Sequence, residues 1–251
     1  YLEEPSFHQA MQGVDIVLAA GEAFTQPLLH ALRQATSARL YNGYGPTEVT
    51  IGATIGLIDE QITIGETIAG AHIYLLDKQQ RMVPPGTLGE IAVGGLGLAR
   101  GYWQRPGLTA QRFITLTDSP TPERIYLTGD LGYALPDGRL IYSGRNDEQV
   151  KLRGLRIELS EVERCIESYE SVRQCAALVK EIDGRQHLCC YYAAPTPYDS
   201  AALKQHAGAF LARYMVPDVF HYLPDLPHTT NGKIDKKQLS TIDLAITRTY
   251  I

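Results

Sequence analysis

The sequence predicts a mixed α/β and α+β fold made of three consecutive parts. A strand–helix–strand order opens the chain, short strand candidates separated by turns come next, and helices alternate with strands toward the C-terminus. The first pattern is typical of an α/β layer, the second of a small barrel, and the third of a compact α+β unit. We therefore divide the chain into an α/β part at residues 1–54, a barrel at residues 55–146 and a C-terminal unit at residues 147–251.

The α/β part begins with an apolar run at residues 14–21, which predicts a buried strand that ends in a turn. Thr25 followed by Pro27 is typical of a helix start, and leucines recur on one face of the helix after it. A second short strand is predicted at residues 38–41, and it leads into a loop. This part has the character of the last portion of a larger α/β layer.

The barrel part contains five short strand candidates separated by Pro-Gly and Asp-Gly turn clusters. Short strands at regular spacing are typical of a small barrel or open sheet. The candidates are residues 62–64, 72–76, 89–93, 124–127 and 138–142.

The C-terminal part begins with a predicted hairpin at residues 150–159. Ser160 and Glu163 have the spacing of a helix capping box, and apolar residues come after them at helical spacing. Strands are predicted at residues 172–179 and 187–194, and a second helix comes after them. This order predicts a small α+β unit.

The composition is that of a globular protein with a substantial core. Of the 251 residues, 44% are hydrophobic and 20% are charged. The net charge of −5 argues against nucleic acid as a partner, because phosphate binding needs a basic face. No apolar run approaches the ~18 residues that span a membrane, and the four cysteines contain no C-x-x-C pair. We expect a cytoplasmic protein with reduced thiols and no membrane partner.

Five short blocks succeed one another along the chain. They are YNGYGPTE at residues 41–48, GEI and LARGY between residues 89 and 102, YLTGD at residues 126–130, GRNDEQVKLRGLRIE at residues 144–158 and TNGKID at residues 230–235. Together they resemble the amino-acid adenylation domains of nonribosomal peptide synthetases, which are adenylate-forming enzymes. Leu127 departs from the pattern, since the family usually has Arg or Lys there. The resemblance covers about residues 14–239, and five ordered blocks make it specific.

The resemblance implies the fold of adenylate-forming enzymes, with a remnant of the large α/β lobe whose N-terminal part is absent, a distorted β-barrel subdomain and a small mobile lid. It implies that an amino acid reacts with ATP and Mg²⁺ to give an aminoacyl-AMP and pyrophosphate. The acyl group then passes to the phosphopantetheine thiol of a peptidyl or aryl carrier protein. Two anions meet in the first step, so the site needs cations.

For the nucleotide, the resemblance assigns residues to the adenine, the ribose and the phosphates. Tyr44 would stack on adenine, and Asp130 would hold both ribose hydroxyls, since a carboxylate has two acceptor oxygens. Thr47 would contact the α-phosphate, and Glu48 would bind Mg²⁺ as a hard oxygen ligand. The other nucleotide-binding residues that the resemblance implies are Gly21, Asn42, Gly45, Tyr142 and Arg145.

Several of these side chains also have an ordinary structural interpretation. Tyr44 could be a core aromatic residue, Thr47 a turn cap, and Glu48 a surface charge. Tyr142 lies on a predicted strand and could simply pack there, while Arg145 could form a surface ion pair. The ordered blocks favour the functional interpretation.

Lys233 comes after Asn231-Gly232, a flexible turn suited to carrying a long cation into a cleft. The resemblance implies that this lysine bridges the substrate carboxylate and ATP during adenylation. Asp235, Lys236 and Lys237 lie just beyond it and are expected to face solvent.

The resemblance also maps the pocket for the substrate side chain. Apart from Lys233, its residues are apolar and three are small, which indicates a substrate with a neutral side chain. These pocket residues are Leu18, Ala20, Gly43, Ile51 and Gly52.

By the same resemblance, Asp147 is the hinge about which the lid turns between the two half-reactions. The hairpin with Lys151 would then reach the site in the thioester-forming state, and Gly154 would line the pantetheine tunnel. In some members of the family the stretch around Ala110 binds an MbtH-like activator, and the resemblance leaves this partner open.

The sequence starts at Tyr1 and lacks the phosphate-binding loop that precedes the Tyr44 block in this family. We therefore expect that the upstream part of the same synthetase is needed and that this chain alone is inactive. Two alternatives stay open: an acyl- or aryl-acid ligase that uses coenzyme A, and a non-catalytic module that binds a nucleotide or a partner. Pro46 and the Asn231-Gly232 pair favour the peptide-synthetase branch.

Overall fold

The computed structural model of the protein describes residues 4–119 and 121–244. The predicted ranges 1–54, 55–146 and 147–251 thus include residues 1–3, 120 and 245–251, which lie outside the described residues. The backbone divides into two compact units, a first unit at Tyr1–Asp147 and a second unit at Glu148–Ile251.

The first unit has three helices and nine strands among its described residues. The helices are α1 (Pro5–Ala10), α2 (Gln26–Ala35) and α3 (Pro106–Arg112). The strands are β1 (Ile16–Ala20), β2 (Arg39–Tyr44), β3 (Thr54–Leu57), β4 (Glu66–Thr67), β5 (Ala71–Leu76), β6 (Gly89–Gly95), β7 (Phe113–Leu116), β8 (Glu123–Ala134) and β9 (Leu140–Arg145).

The predicted strand–helix–strand order at the start of the first unit is confirmed. The side chain of Thr25 caps α2 by accepting the backbone N–H of Leu28. β1 pairs in parallel with β2, which pairs antiparallel with β3. The prediction that β1 is buried is wrong, because Ile16 and Leu18 are 51% and 56% exposed. Among the described residues β1 pairs with β2 alone, and its outer face has no cover.

The barrel part of the first unit is an antiparallel sheet in the order β5–β6–β8–β7, with β9 also paired to β8. Register shifts on β8, against β6 and against β9, bend this sheet. A bridge between Gly65 and Leu140 links it to the segment after β3. The predicted strand at residues 62–64 is absent, because Ile62 packs against the α2 cluster while Ile64 packs into the barrel core. The sequence pattern also missed β3, β4 and β7.

The second unit has three helices and five strands among its described residues. The helices are α4 (Leu159–Glu167), α5 (Ser200–Phe210) and α6 (Lys236–Ser240). The strands are β10 (Gln149–Leu152), β11 (Leu155–Glu158), β12 (Gln174–Ile182), β13 (Arg185–Ala193) and β14 (Val219–Leu223).

The core of the second unit lies on both faces of the β12–β13–β14 sheet. Alternate residues of β12 and β13 face α4 and α5 on one side, and Leu239 of α6 packs on the other. The predicted capping box is wrong: Glu158 is the residue before α4, and no side chain caps that helix. Ser160 lies inside the first turn, and Glu163 instead accepts the backbone N–H of Ala177 at 2.8 Å.

The four cysteines are free and buried in this second unit, as expected for reduced thiols. Among the described residues no helix is long and apolar enough to cross a membrane.

Candidate functional site

A network of buried polar side chains joins β2, β8 and β9. The Tyr44 hydroxyl donates to Asp130 Oδ2 at 2.7 Å, and Arg145 Nη1 donates to Asp130 Oδ1 at 2.6 Å. Tyr44 is 8% exposed and Asp130 4%. Burial, followed by the charge of Asp130, raises the pKa of Tyr44 well above its ordinary value, so the hydroxyl stays a donor. The structure thus brings three of the predicted nucleotide residues into direct contact.

Tyr44 and Tyr142 face each other within this network. Their ring centroids are 6.5 Å apart, and Tyr44 belongs to the barrel core. Since only 8% of Tyr44 is exposed, little of its ring is available to a ligand. Stacking on adenine stays a prediction, and the half-buried Tyr142 offers more surface for it.

Asp147, the predicted hinge, is held by two arginines of the first unit. Its carboxylate accepts from Arg145 Nε at 2.7 Å and Nη2 at 2.9 Å, and from Arg112 Nη2 at 3.4 Å. The backbone of Gly129 lies next to the Arg145–Asp147 ion pair. The N–H of Gly129 donates to Glu90 Oε1 at 2.8 Å. Neither Arg112 nor Glu90 was predicted as a site residue: Arg112 lies outside the five blocks, while the place of Glu90 inside the GEI block was a signal that could have identified it. The hinge role stays a prediction.

Replacing Gly129 with alanine is expected to lower the free energy of unfolding by about 1–3 kcal/mol. A Cβ atom there would lie 2.5 Å from Arg145 Nη2 and 2.6 Å from Asp147 Oδ2, at a φ of +77°. Gly138→Ala is the matched control, since its φ is +91° but no atom lies within 4 Å of the added Cβ. Urea unfolding measures the free energy of unfolding of both variants. If both lost the same stability, the close packing of Arg145 and Asp147 against Gly129 would not matter for stability.

Glu48, the predicted Mg²⁺ ligand, lies in the 3₁₀ turn Thr47–Val49 and is 9% exposed. The Tyr102 hydroxyl donates to Glu48 Oε1 at 2.7 Å and lies 3.2 Å from the Tyr126 hydroxyl. Burial and then the hydrogen bonds with Tyr126 and Glu48 raise the pKa of Tyr102 well above its ordinary value. Both tyrosines stand inside the LARGY and YLTGD blocks, which was the signal that could have identified them.

Replacing Tyr102 with phenylalanine is expected to lower the free energy of unfolding by about 1–2 kcal/mol, because the buried carboxylate of Glu48 loses a donor. Tyr133→Phe is the control, since Tyr133 is a half-buried tyrosine on β8 of the same unit. Thermal and urea denaturation check the result. A Tyr102→Phe variant as stable as the control would contradict a supporting role for this hydroxyl.

The segment after β2 has an unusual backbone. Thr50 and Ile51 have φ values of +63° and +74°, where β-branched residues are rare. The N–H of Gly52 donates to the carbonyl of Thr50 at 2.9 Å, which closes a tight turn around Ile51. A Cβ at Gly45 would lie 2.3 Å from the Ile51 carbonyl oxygen, so glycine is required there. The turn leaves Ile51 75% exposed and the preceding Thr47 exposed as well.

Three predicted pocket residues lie together on the open face of the β1–β2 pair. Leu18 and Ala20 are exposed on β1, and Gly43 lies opposite Ala20 on β2. A Cβ at Gly43 would lie 3.3 Å from Leu18 Cδ1 and 3.4 Å from Ala20 Cβ. A Cβ at Gly52 would lie 3.5 Å from Ile68 Cδ1. The side chains on this face are apolar, and their role as a substrate pocket stays a prediction.

Asn42 and Gly21 differ in surroundings. Asn42 is 4% exposed, and its Nδ2 donates to the carbonyl of Thr63 at 2.8 Å, so its amide supports the fold. Gly21 lies just after β1, has a φ of +95° and is exposed, with no atom within 4 Å of an added Cβ. Their contact with a nucleotide stays a prediction.

The remaining predicted residues lie elsewhere. Lys233 is exposed on a turn of the second unit, in which the N–H of Thr229 donates to its carbonyl at 2.7 Å. Lys151 lies on β10, and Gly154 turns the β10–β11 hairpin with a φ of +74°. Ala110 lies exposed on α3 of the first unit. The catalytic, thioester-state and activator-binding roles of these residues stay predictions.

Two carboxylates of the first unit, those of Asp130 and Glu48, have the chemistry to bind a nucleotide with Mg²⁺. Each oxygen of Asp130 accepts one hydrogen bond from the protein, and a carboxylate oxygen has a second lone pair for a ribose hydroxyl. Within residues 4–119 and 121–244, no group of three or more His, Cys, Asp or Glu side chains is placed to hold a metal. Mg²⁺ is commonly bound by one or two carboxylates together with water and phosphate, so Glu48 suits it as a partial ligand.

Known families and proteins match this chain over most of its length. The family model of AMP-binding enzymes matches residues 2–103, and that of the AMP-binding enzyme C-terminal domain matches residues 161–233. The dimodular nonribosomal peptide synthase of Bacillus subtilis (strain 168) is 41% identical over 234 residues, which are 91% of this chain and 10% of that protein. Tyrocidine synthase 1 of Brevibacillus parabrevis is 40% identical over 238 residues, which are 91% of this chain and 21% of that protein.

A solved structure agrees with these matches. Holo-PA1221, described as an NRPS protein containing adenylation and PCP domains bound to a vinylsulfonamide inhibitor, superposes with a TM-score of 0.81 at 31% identity. The match covers 92% of this chain and 41% of that one. The predicted fold, that of part of an adenylate-forming enzyme, is confirmed. The chain spans between a tenth and about a fifth of the two curated relatives.

Proposed function

This chain belongs to the AMP-binding enzyme family, and we propose that it works as part of an amino-acid adenylation domain in a nonribosomal peptide synthetase. The observation that carries the proposal is the buried contact of Asp130 with Tyr44 and Arg145. It holds a carboxylate in a fixed place where it can accept both hydroxyls of a ribose. The wider protein then activates an amino acid with ATP.

In the first half-reaction, a carboxylate oxygen of the amino acid attacks the α-phosphorus of ATP. The bond between the α-phosphorus and the bridging oxygen breaks, and pyrophosphate leaves with the electron pair. In this proposal Thr47 would contact the α-phosphate, and the Lys233 ammonium would lower the repulsion between the two reacting anions. Glu48 would hold Mg²⁺, which would supply further positive charge at the phosphate oxygens.

In the second half-reaction, the phosphopantetheine thiol of a carrier protein attacks the acyl carbon, and AMP leaves. Between the two steps the second unit, which is the lid, would rotate at Asp147. Lys233 would then leave the site, and the hairpin with Lys151 and Gly154 would reach it. A relative that contains adenylation and PCP domains supports a carrier protein as the acceptor. In a coenzyme A ligase the same hairpin would act with the thiol of coenzyme A, so the identity of the acyl acceptor needs its own test.

Amino-acid-dependent ATP–pyrophosphate exchange tests the proposal. It is run over a panel of amino acids, on this chain and on a protein that also carries the upstream adenylation residues. We expect exchange in the longer protein, with an amino acid that has a neutral side chain, and little or none in this chain alone. If neither protein showed exchange, the proposed enzymatic activity would be contradicted and a non-catalytic binding module favoured. If this chain by itself showed exchange, the upstream loop would be dispensable.

Loading of the activated amino acid separates the two acceptors. The longer protein is given a holo-carrier protein in one reaction and free coenzyme A in another, and the thioester is measured by mass spectrometry. We expect the thioester on the carrier protein. A thioester that forms on free coenzyme A alone would assign the chain to the ligases instead.

A further inference from the structure

Lys236 was expected to face solvent, and the structure corrects this. The residue begins α6, and its Nζ lies 2.9 Å from Glu148 Oε1 and 2.8 Å from Glu163 Oε1. The Nζ atom is shielded from water, and the side chain is 30% exposed. Leu239, one turn later, is fully buried, so the packing of α6 turns Lys236 inward.

The two carboxylates stand on different elements of the second unit. Glu163 lies on α4, is 15% exposed, and also accepts the N–H of Ala177 on β12. Glu148 is the first residue of the unit, directly after Asp147, and is 56% exposed. Burial alone would lower the pKa of Lys236, but the two nearby carboxylates raise it above its ordinary value. A charged Lys236 therefore ties the start of the unit to its core.

The turn that carries Lys233 is joined directly to α6. Its two arms meet in an isolated bridge between His228 and Ile234, while the turn between them is exposed. Asp235 then caps α6 with its side chain, and Lys236 is the next residue. Lys236 therefore lies at the base of the Lys233 turn, only three positions after Lys233.

We propose that Lys236 is a positioning residue for Lys233. Through its two ion pairs it fixes the base of the Lys233 turn to Glu148, the neighbour of Asp147. A rotation at Asp147 would then carry Lys233 as part of one rigid body. This inference rests on the proposed roles of Lys233 and Asp147 and adds the link between them.

Hydrogen–deuterium exchange of this chain tests the link without an activity assay. In Lys236→Met the amides of residues 229–234 are expected to exchange about tenfold faster, because the base of the turn opens more often. Lys236→Arg keeps the charge and is expected to restore slow exchange. Lys237→Met removes the exposed neighbouring lysine and should leave exchange unchanged. Unaltered exchange in Lys236→Met, or equal acceleration in Lys237→Met, would overturn the proposal.

Lys236→Met could unfold the whole second unit, in which case the amides of β12 would also lose their protection from hydrogen exchange. A milder variant keeps the proposal testable in that case. Glu148→Gln removes the more exposed partner and leaves the ion pair of Lys236 with Glu163. Faster exchange at residues 229–234, with β12 still protected, supports the proposal. Unchanged exchange at those residues overturns it.

A second readout separates positioning from folding in the protein that carries the upstream adenylation residues. Lys236→Met is expected to lower the kcat of pyrophosphate exchange about tenfold, with the KM for ATP nearly unchanged. Transfer to the carrier from a supplied aminoacyl-AMP does not use Lys233 and should keep its rate, so equal loss in both reactions would contradict the inference. If the wild-type protein shows no exchange at all, the proposed function fails, and hydrogen exchange still decides whether Lys236 fixes the turn.

Discussion

Replacing Lys233 with alanine is expected to lower amino-acid-dependent pyrophosphate exchange by about 10²–10³-fold in the protein that carries the upstream adenylation residues. The Lys233 ammonium is the proposed cation between the substrate carboxylate and the α-phosphate, so its loss leaves their repulsion uncompensated as they approach. Lys233 is exposed on its turn. The free energy of unfolding is therefore expected to change by less than about 0.5 kcal/mol.

Lys237→Ala is the matched control for this variant, because it removes an exposed lysine of the same segment. It is expected to keep wild-type exchange. Initial rates at saturating ATP, together with urea unfolding of each variant, measure both quantities. Wild-type exchange in Lys233→Ala would show that Lys233 has no part in adenylation, whatever its place in the turn.

Replacing Asp130 with asparagine is expected to impair both folding and nucleotide binding. The side chain keeps its shape but loses its charge, so the Arg145 guanidinium, 11% exposed, retains Asp147 as its carboxylate partner. Because Arg145 keeps one carboxylate partner, loss of the charged hydrogen bond to Asp130 is expected to cost about 1.5–3 kcal/mol of stability. Weaker hydrogen bonds to the ribose are expected to raise the KM for ATP about 10- to 100-fold.

The choice of nucleotide gives this prediction a sharper form. The wild-type protein is expected to prefer ATP over 2′-deoxy-ATP in pyrophosphate exchange, and Asp130→Asn should lose most of that preference. Asp137→Asn is the control, an exposed carboxylate on a turn that pairs with Arg139. An unchanged preference in Asp130→Asn would contradict the assignment of Asp130 to the ribose.

Local sequence signals predicted the elements whose causes are themselves local. Thr25 before an amphipathic run predicted α2, and Gly154 between two strand patterns predicted the β10–β11 hairpin. The apolar runs at residues 172–179 and 187–194 predicted β12 and β13, which are buried on both faces. In each case the residues that determine the element lie within a few positions of it.

The errors arose where distant parts of the chain decide the outcome. Ile62 and Ile64 looked like one strand, but they fill two different cores. Glu163 had the spacing of a capping residue, yet it bonds to the backbone of β12 and pairs with Lys236. No local pattern records such partners.

The candidate site shows the same division. The ordered blocks identified Asp130, Arg145 and Tyr44, and the structure brings these three into contact. They did not identify the Tyr102 hydroxyl on Glu48, which joins residues 54 positions apart. A motif therefore indicates which residues matter, while the folded chain determines which of them touch.

The central chemical claim is that a carboxylate oxygen of the amino acid attacks the α-phosphorus of ATP. The most direct measurement uses an amino acid labelled with ¹⁸O in its carboxylate, with the longer protein, ATP and the holo-carrier protein. After transfer to the carrier, the account predicts AMP that carries one ¹⁸O atom. Unlabelled AMP, or ADP as the nucleotide product, would contradict it.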